Sequence, residues 1–324
     1  VLYYRDMGLE NKRWRAEDFM QWVKSDDAKT RFRAGGGKEL QFYPVKKIRV
    51  NIDKQKVINN KVVAAEDYDK IADYIDWDFR AGALPKRDLM VMDLITYNDW
   101  TRPIYFSITV GGNRKAYFYL DEYFQLEGLA YRFVPIKNKT DNTRGEFGRV
   151  NTDIMYDNLM NKFTWDNMND PALYLDETNR RLSYNFRNIF GRLGSALADE
   201  GKNEKAIEVL DHCLEQIPAE VFGYNYFVMP VIEAYYKAGA TEKASAIVNE
   251  FADQLDQEIE YYQQFSSKKW REGIESDLMA SAQYYSMLMQ MVRQYEVIGK
   301  GVSLQDHPFF QRYSEAIGPL NAPI

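Results

Sequence analysis

Cysteine and histidine are scarce in this sequence, and their scarcity removes whole classes of chemistry. The single cysteine, Cys213, leaves no intrachain disulfide to form. It sits at a helix-packing position and reads as a small buried hydrophobe, not a nucleophile. The two histidines, His212 and His307, lie far apart, and no HExxH motif or paired Cys/His spacing exists. No metal site is therefore expected, and no cofactor. A Ser-His-Asp triad would have to be assembled around one of these rings. His212 adjoins the helical core and His307 precedes Pro308 at a helix start, so surface or capping roles are expected for both. Long apolar runs are missing as well. No stretch reaches the roughly 18 residues that cross a bilayer, and no signal peptide is visible. Val1 in place of methionine is expected of an excised or processed piece of a longer chain. Positive charge is not in excess. A net charge of −6 speaks against nucleic-acid binding, which needs a basic surface. Gly35-Gly36-Gly37 is a flexible break without the GxxxxGK[ST] frame or a clear preceding strand, so phosphate is not expected there.

The residues that are present describe an ordinary globular chain. Hydrophobic residues make up 45% and charged residues 28% of 324, enough for two domains with normal cores. Aromatics reach 15%, with 24 tyrosines. They supply core and interface area, and also platforms for sugars.

The stretch from Arg187 to Pro218 organises the chain. Phe190, Leu193-Gly194 and Leu197 precede a polar break at Asp199 to Asn203. Ala206, Leu210 and Cys213 follow, and Pro218 closes the run. This spacing predicts two antiparallel helices joined at Gly201, with Gly194 and Ala206 at their crossing. It resembles the helix-pair pattern of tetratricopeptide repeats. Val228, Val231, Ile232, Tyr235, Ala244, Val248 and Phe251 repeat it. Such a pair cannot bury its apolar face alone, so a second one is needed beside it.

Upstream the texture is mixed. A short helix is expected over Ala16 to Lys24, with Phe19, Trp22 and Val23 on one face. The alternation at Ile48, Val50 and Ile52 predicts a half-buried strand. Val57 to Val63 reads as a hairpin around Asn59-Asn60, and Glu66 to Phe79 as a helix. Asp88 to Tyr97 is a helix capped by Asp88, with a buried strand as the competing reading. Arg102 to Val110 is a strand, Gly111-Gly112-Asn113 a turn, and Leu120 to Leu126 a short helix. Leu129 to Ile136 is a strand that Pro135 places at a sheet edge. Helices are expected from Glu242 toward Phe265, from about Ile274 to Val297, and after Asp306-His307-Pro308. The fold class is α+β: a small mixed α/β domain over 1–145, then an all-α tetratricopeptide-like array over 146–324.

Several strings together carry a more specific likeness. They are Lys86-Arg87-Asp88-Leu89-Met90, Asn98-Asp99-Trp100-Thr101-Arg102-Pro103-Ile104-Tyr105-Phe106, Leu126-Glu127-Gly128-Leu129-Ala130-Tyr131-Arg132, Asp153-Ile154-Met155-Tyr156-Asp157 and Asn185-Phe186-Arg187-Asn188. Over roughly residues 84 to 265 the chain resembles the soluble C-terminal part of a Bacteroidetes membrane-protein family. That family carries an N-terminal multi-spanning domain similar to protein O-mannosyltransferases. The resemblance implies tetratricopeptide repeats on the periplasmic side of the inner membrane. Catalytic groups would lie in the membrane domain, facing a lipid-linked sugar donor, so none carries over to this chain.

The candidate sites are then binding surfaces. A repeat array presents the first helix of each pair along a concave face. Arg187, Asn188, Ser195, Asp199, Asn225, Tyr226, Glu233, Tyr236 and Lys237 are expected there, facing a protein or glycan acceptor. The competing reading is that the groove is filled by the chain's own α/β domain or terminal helix. Arg102 and Tyr105 open a strand and form a possible loop site, with an ion pair from Arg102 to Asp99 as the alternative. Paired carboxylates for glycoside hydrolysis are poorly served. Asp88 and Asp93 do not share a helix face, and Asp121-Glu122 diverge. The expectation is a noncatalytic accessory domain of a membrane glycosyltransferase, binding the acceptor or bracing the membrane domain. A stand-alone glycan- or peptide-binding repeat protein and a hydrolase are the alternatives.

Overall fold

A computed structural model describes residues 1–109, 118–138, 147–265, 268–299 and 301–318. Packing divides the chain into two compact units, Val1–Asn151 and Thr152–Ile324. The fold is α+β, with small sheets in the first unit and helices in the second.

The strands of the sheet unit, in chain order, are β1 (Leu2–Tyr4), β2 (Arg13–Arg15), β3 (Arg31–Arg33), β4 (Glu39–Tyr43), β5 (Lys47–Asn51), β6 (Tyr74–Asp78), β7 (Ala83–Leu84), β8 (Tyr105–Ser107), β9 (Phe124–Leu126), β10 (Ala130–Phe133) and β11 (Arg149–Val150). Its helices are α1 (Ala16–Lys24), α2 (Lys54–Asn59) and α3 (Lys86–Tyr97). Among the described residues the strands form three sheets, ordered β3-β4-β1-β7, β2-β5-β6 and β11-β9-β10-β8. The triple glycine turns the chain between the antiparallel β3 and β4. Gly36 and Gly37 take φ of 82° and 79°, a region L side chains avoid.

Two expected elements hold as read. The α1 helix buries Phe19, while Trp22 and Val23 are half-buried. In β5, Ile48 and Val50 point inward. Others change type. The hairpin expected at Val57 to Val63 does not form: Val57 to Asn59 end α2, because Asp53 caps a helix there, its Oδ1 accepting from Lys56 N at 3.2 Å. Val57, Val62 and Val63 then join Ile71, Val134 and Ile136 in one apolar cluster. The helix expected over Glu66 to Phe79 is a 3-10 turn, Ala65–Lys70, followed by β6. Tyr68, Ile71, Ala72 and Ile75 suit helical spacing, but Ile75 and Trp77 also alternate. Pairing with β5, Val50 opposite Ile75 and Ile48 opposite Trp77, decides for the strand.

The helical reading of Asp88 to Tyr97 is right, but α3 starts at Lys86 behind Pro85, so Asp88 lies in its first turn. The stretch Leu120 to Leu126 is a 3-10 turn, Asp121–Tyr123, running into β9. Pro135 does not mark an edge: β10 lies between β9 and β8 and ends at Phe133. Beyond that end no ladder donor is lost, and the Pro135 carbonyl accepts from Ala72 N at 2.9 Å. Val110, the Gly111-Gly112-Asn113 turn and most of the polar stretch from Asn138 to Arg149 lie outside the described residues.

The helical unit contains α4 (Thr152–Asp157), α5 (Glu177–Asp199), α6 (Asn203–Gln216), α7 (Ala219–Phe222), α8 (Met229–Lys237), α9 (Thr241–Gln263), α10 (Lys268–Val292) and α11 (Pro308–Ile317). A hairpin of α5 and α6 closes at Gly201, whose φ is 76°. A second, α8 with α9, closes at Gly239, φ 80°. The first helices of the two hairpins, α5 and α8, share the most extensive contact. α10 packs on α9, and α11 on α10. Phe190, Leu193, Leu197, Ala206, Leu210 and Cys213 are all buried, as are Val231, Ile232, Tyr235, Val248 and Phe251. Gly194 faces Leu210 on α6 and Ala234 on α8, where a Cβ would meet side-chain atoms at 2.8 and 3.2 Å. Gly191 is tighter still, since a Cβ there would lie 2.7 Å from a Pro230 backbone carbon.

Both histidines make local contacts. His307 Nδ1 accepts from Phe309 N at 3.3 Å and caps α11. His212 is half-buried against the Trp165 and Phe190 rings, so it is a packing residue and not a surface one.

Candidate functional site

The residues expected along a groove of the helical unit do not form one open surface. Arg187 is 0% exposed. Its Nη1 donates to the Gly223 carbonyl at 2.6 Å and its Nη2 to the Ile217 carbonyl at 2.8 Å. These carbonyls belong to the C-terminal caps of α7 and α6, where helix dipoles concentrate negative charge. The Phe222 and Tyr224 rings lie 6.0 and 5.7 Å from the guanidinium. Burial lowers its pKa from the usual arginine value, yet a guanidinium stays charged. Arg187 therefore ties two helix ends together.

Tyr236 is 6% exposed, donates to Glu296 and stacks on Tyr295 at 4.8 Å. Burial and that carboxylate both raise its pKa. Asn225 is spent on a local cap, its Oδ1 accepting from Phe227 N at 3.0 Å. Lys237 pairs with Asp199 at 3.3 Å. Asn188 and Glu233 are half-buried. Of the set, Tyr226, at 44% exposure, offers an open ring.

The other expected pair, Arg102 and Tyr105, fares differently. Cross-strand register puts Arg149, Gln125, Arg132 and Tyr105 in one row across β11, β9, β10 and β8. This row faces away from the apolar side made by Phe106, Tyr131, Phe133 and Leu126. Glu127, one residue past the end of β9, gathers the row. Its carboxylate accepts from the Tyr105 hydroxyl at 3.0 Å and from Gln125 Nε2 at 2.7 Å, and Arg132 Nη1 lies at 3.5 Å. Partial burial, then Glu127, raises the Tyr105 pKa. At the far end Arg149 donates to Gln125 and to Asp67. That bond holds the Asp67 carboxyl below the usual carboxylate range, with help from Lys70. The sequence contains the signal for this row, since Gln125/Glu127 and Ala130/Arg132 alternate against apolar neighbours. Choosing it needs the register, which the sequence does not supply.

Arg102 lies just beyond the row in a tight loop. Asn98 Nδ2 donates to the Arg102 carbonyl at 2.7 Å, and Thr101 Oγ1 to the Asn98 carbonyl at 2.8 Å. Asp99 and Trp100 both take left-handed backbone, φ 52° and 60°. Trp100 stacks on Phe133 at 5.5 Å, which holds it there. The pairing of Arg102 with Asp99 does not occur, because Lys56 takes Asp99.

Chemically this site donates hydrogen bonds. Its carboxylates, Glu127 and Asp67, each already accept from two partners. The carboxylates considered for hydrolysis are engaged too: Asp93 by Lys24 at 2.6 Å, Asp88 by Arg87 at 3.2 Å and Glu122 by Lys137 at 3.3 Å. Cys213 is sealed in the helical core, where burial pushes its thiol up to about 12. Among the described residues no group of three His, Cys, Asp or Glu could hold a metal ion. Among them, too, no helix is long and apolar enough to cross a membrane.

A mixed three-sheet unit with a polar, donor-rich sheet face is the class of structure that this half of the chain defines. Residues 1–154 match a family model described as TMEM260-associated domain 2. That domain is linked to TMEM260, a protein O-mannosyltransferase-like membrane protein. The match covers the sheet unit and the first residues of α4. No curated protein and no solved structure matches the chain.

Proposed function

We propose that this chain is a noncatalytic accessory region of a glycosyltransferase-like membrane protein, where it binds the acceptor protein. The observation that carries this reading is the match of residues 1–154 to a TMEM260-associated domain. The chemistry of the sheet face agrees with it, since both carboxylates there, Glu127 and Asp67, are already engaged. In this reading the helix hairpins are tetratricopeptide-like repeats that extend the acceptor surface. The region works on the periplasmic side of the inner membrane in a bacterial host such as a Bacteroidetes cell. Its partners are the protein or glycan acceptor and the membrane domain of the same protein.

The test uses the purified chain with a lipid-linked sugar donor and an unmodified acceptor protein. Acceptor binding without sugar transfer is expected. Transfer by the chain alone would contradict the noncatalytic role, and failure to bind acceptor would leave bracing of the membrane domain as its function.

One observation favours a second reading, a glycan-binding protein acting alone. Trp14 and Trp22, with ring centroids 5.5 Å apart, line an open cleft of about 440 Å³ together with Asp18 and Gln21. Aromatic faces beside planar polar groups suit a sugar. Saturable quenching of tryptophan fluorescence by an oligosaccharide, lost in Trp14→Ala, would support that reading.

A further inference from the structure

We propose that the small cleft beside the Asn98 to Pro103 loop binds one oxyanion, a carboxylate or a phosphate group, between Arg102 and Arg132. The inference stands on the cleft's own residues and does not depend on the accessory role. Asn60, Asn98, Trp100, Thr101, Arg102 and Arg132 are among its lining residues. Two arginines thus border one narrow space, and a guanidinium is a donor with no acceptor capacity.

Arg102 has donors to spare. Arg132 Nε is sealed from solvent without a hydrogen-bond partner, so a ligand meets Arg132 through its terminal nitrogens. Arg102 is exposed and makes no ion pair among the described residues, since Lys56 takes Asp99. Asn60, also exposed, adds an amide without a side-chain partner among the described residues. Asn98 and Thr101 are occupied in closing the loop. Glu127, 3.5 Å from Arg132 Nη1, is the carboxylate that offsets part of this charge, and it is itself shared with Tyr105 and Gln125.

The loop is preorganised. Asp99 and Trp100 hold consecutive left-handed conformations, uncommon outside glycine. The Trp100–Phe133 stack and the Asn98 bonds fix them, so no loop ordering is left for the ligand to impose. Size sets the ligand class. The cleft encloses about 40 Å³, far below the roughly 300 Å³ and more of pockets that enclose whole ligands. A head group fits, and a sugar ring does not. Planar guanidinium groups match carboxylate and phosphate oxygens through paired N–H donors.

The experiment is isothermal titration of the full 324-residue chain with inorganic phosphate and, separately, acetate, at ionic strength held constant with chloride. Saturable one-site binding is expected for at least one anion. Arg102→Gln should weaken it about tenfold or more, with the far-UV circular dichroism unchanged. Arg33→Gln, an exposed cation on another sheet, should bind as the unaltered chain does. Tighter binding of phosphate assigns the site to a phosphate ester, and tighter binding of acetate to a peptide carboxylate. Should an Arg132→Lys chain fail to fold, the exposed Arg102 still decides. Absence of saturable heat with both anions would overturn the proposal, as would Arg102→Gln binding them unchanged.

Discussion

At the scale of the residue, Arg187 shows how one side chain can be read for two purposes. Arginine beside asparagine on a repeat helix suits a binding groove, and its spacing from Phe190 is compatible with that. The structure instead uses its donors on the carbonyls of Ile217 and Gly223. A buried cation without a carboxylate is tolerable here because two helix C-termini face it. Replacing it with methionine keeps volume but strips both carbonyls of their donor. Each buried group left bare costs about 1 to 3 kcal/mol. Arg187→Met should therefore lower the urea midpoint clearly while a helical spectrum persists at low denaturant. An unchanged midpoint would show that water replaces the guanidinium and that the tie is dispensable. Of the expected site residues, Arg102 and Tyr105 were legible from a local signal, a charge just before Pro103 and a ring just after it. Arg132, Glu127 and Gln125 were not, because what unites them is register between strands distant in sequence.

At the scale of the element, legibility followed the period of the apolar pattern. The helix hairpins repeat bulky and small residues over long stretches, and α5, α6, α8 and α9 lie where that spacing puts them. Short strands in the sheet unit offer too few residues for a period to show. Tyr74–Asp78 fits both a helix face and an alternating strand, and only its partner β5 resolves the ambiguity. Glycine gives the sharpest prediction at this scale. The pattern marked Gly194 as the close contact, but Gly191 abuts the Pro230 backbone, which cannot rotate away. At Gly194 the neighbours are the flexible end of Leu210 and a methyl group. Alanine gains roughly 1 kcal/mol of helix propensity over glycine at either site. Gly191→Ala should nonetheless destabilise, by about 1 to 3 kcal/mol, and by more than Gly194→Ala. Thermal unfolding of the two variants checks the order; the reverse order would mean that α5 and α8 approach less closely than this.

At the scale of the whole molecule, the chain divides into two compact units of different kind. The reading put the change after residue 145; the packing changes between Asn151 and Thr152. The difference has a plain cause: Arg149–Val150 forms a strand on β9, so the polar stretch before it is not the end of the sheet unit. The family match, ending at residue 154, follows the sheet unit. The proposed accessory role rests on that match and on the sequence likeness to a membrane glycosyltransferase family. Composition alone gave neither the donor row nor the oxyanion cleft. The accessory role makes one kinetic demand. Groups that hold the acceptor away from the reacting centre contribute binding that is equal in the ground and transition states, and their removal raises KM while sparing kcat. The most direct test is the initial rate of sugar transfer against acceptor concentration, for the membrane protein carrying this chain and for the same protein with the chain removed. The account predicts an acceptor KM raised about tenfold or more, equivalent to roughly 1.4 kcal/mol, with kcat retained. An unchanged KM, or a loss of kcat alone, would contradict it.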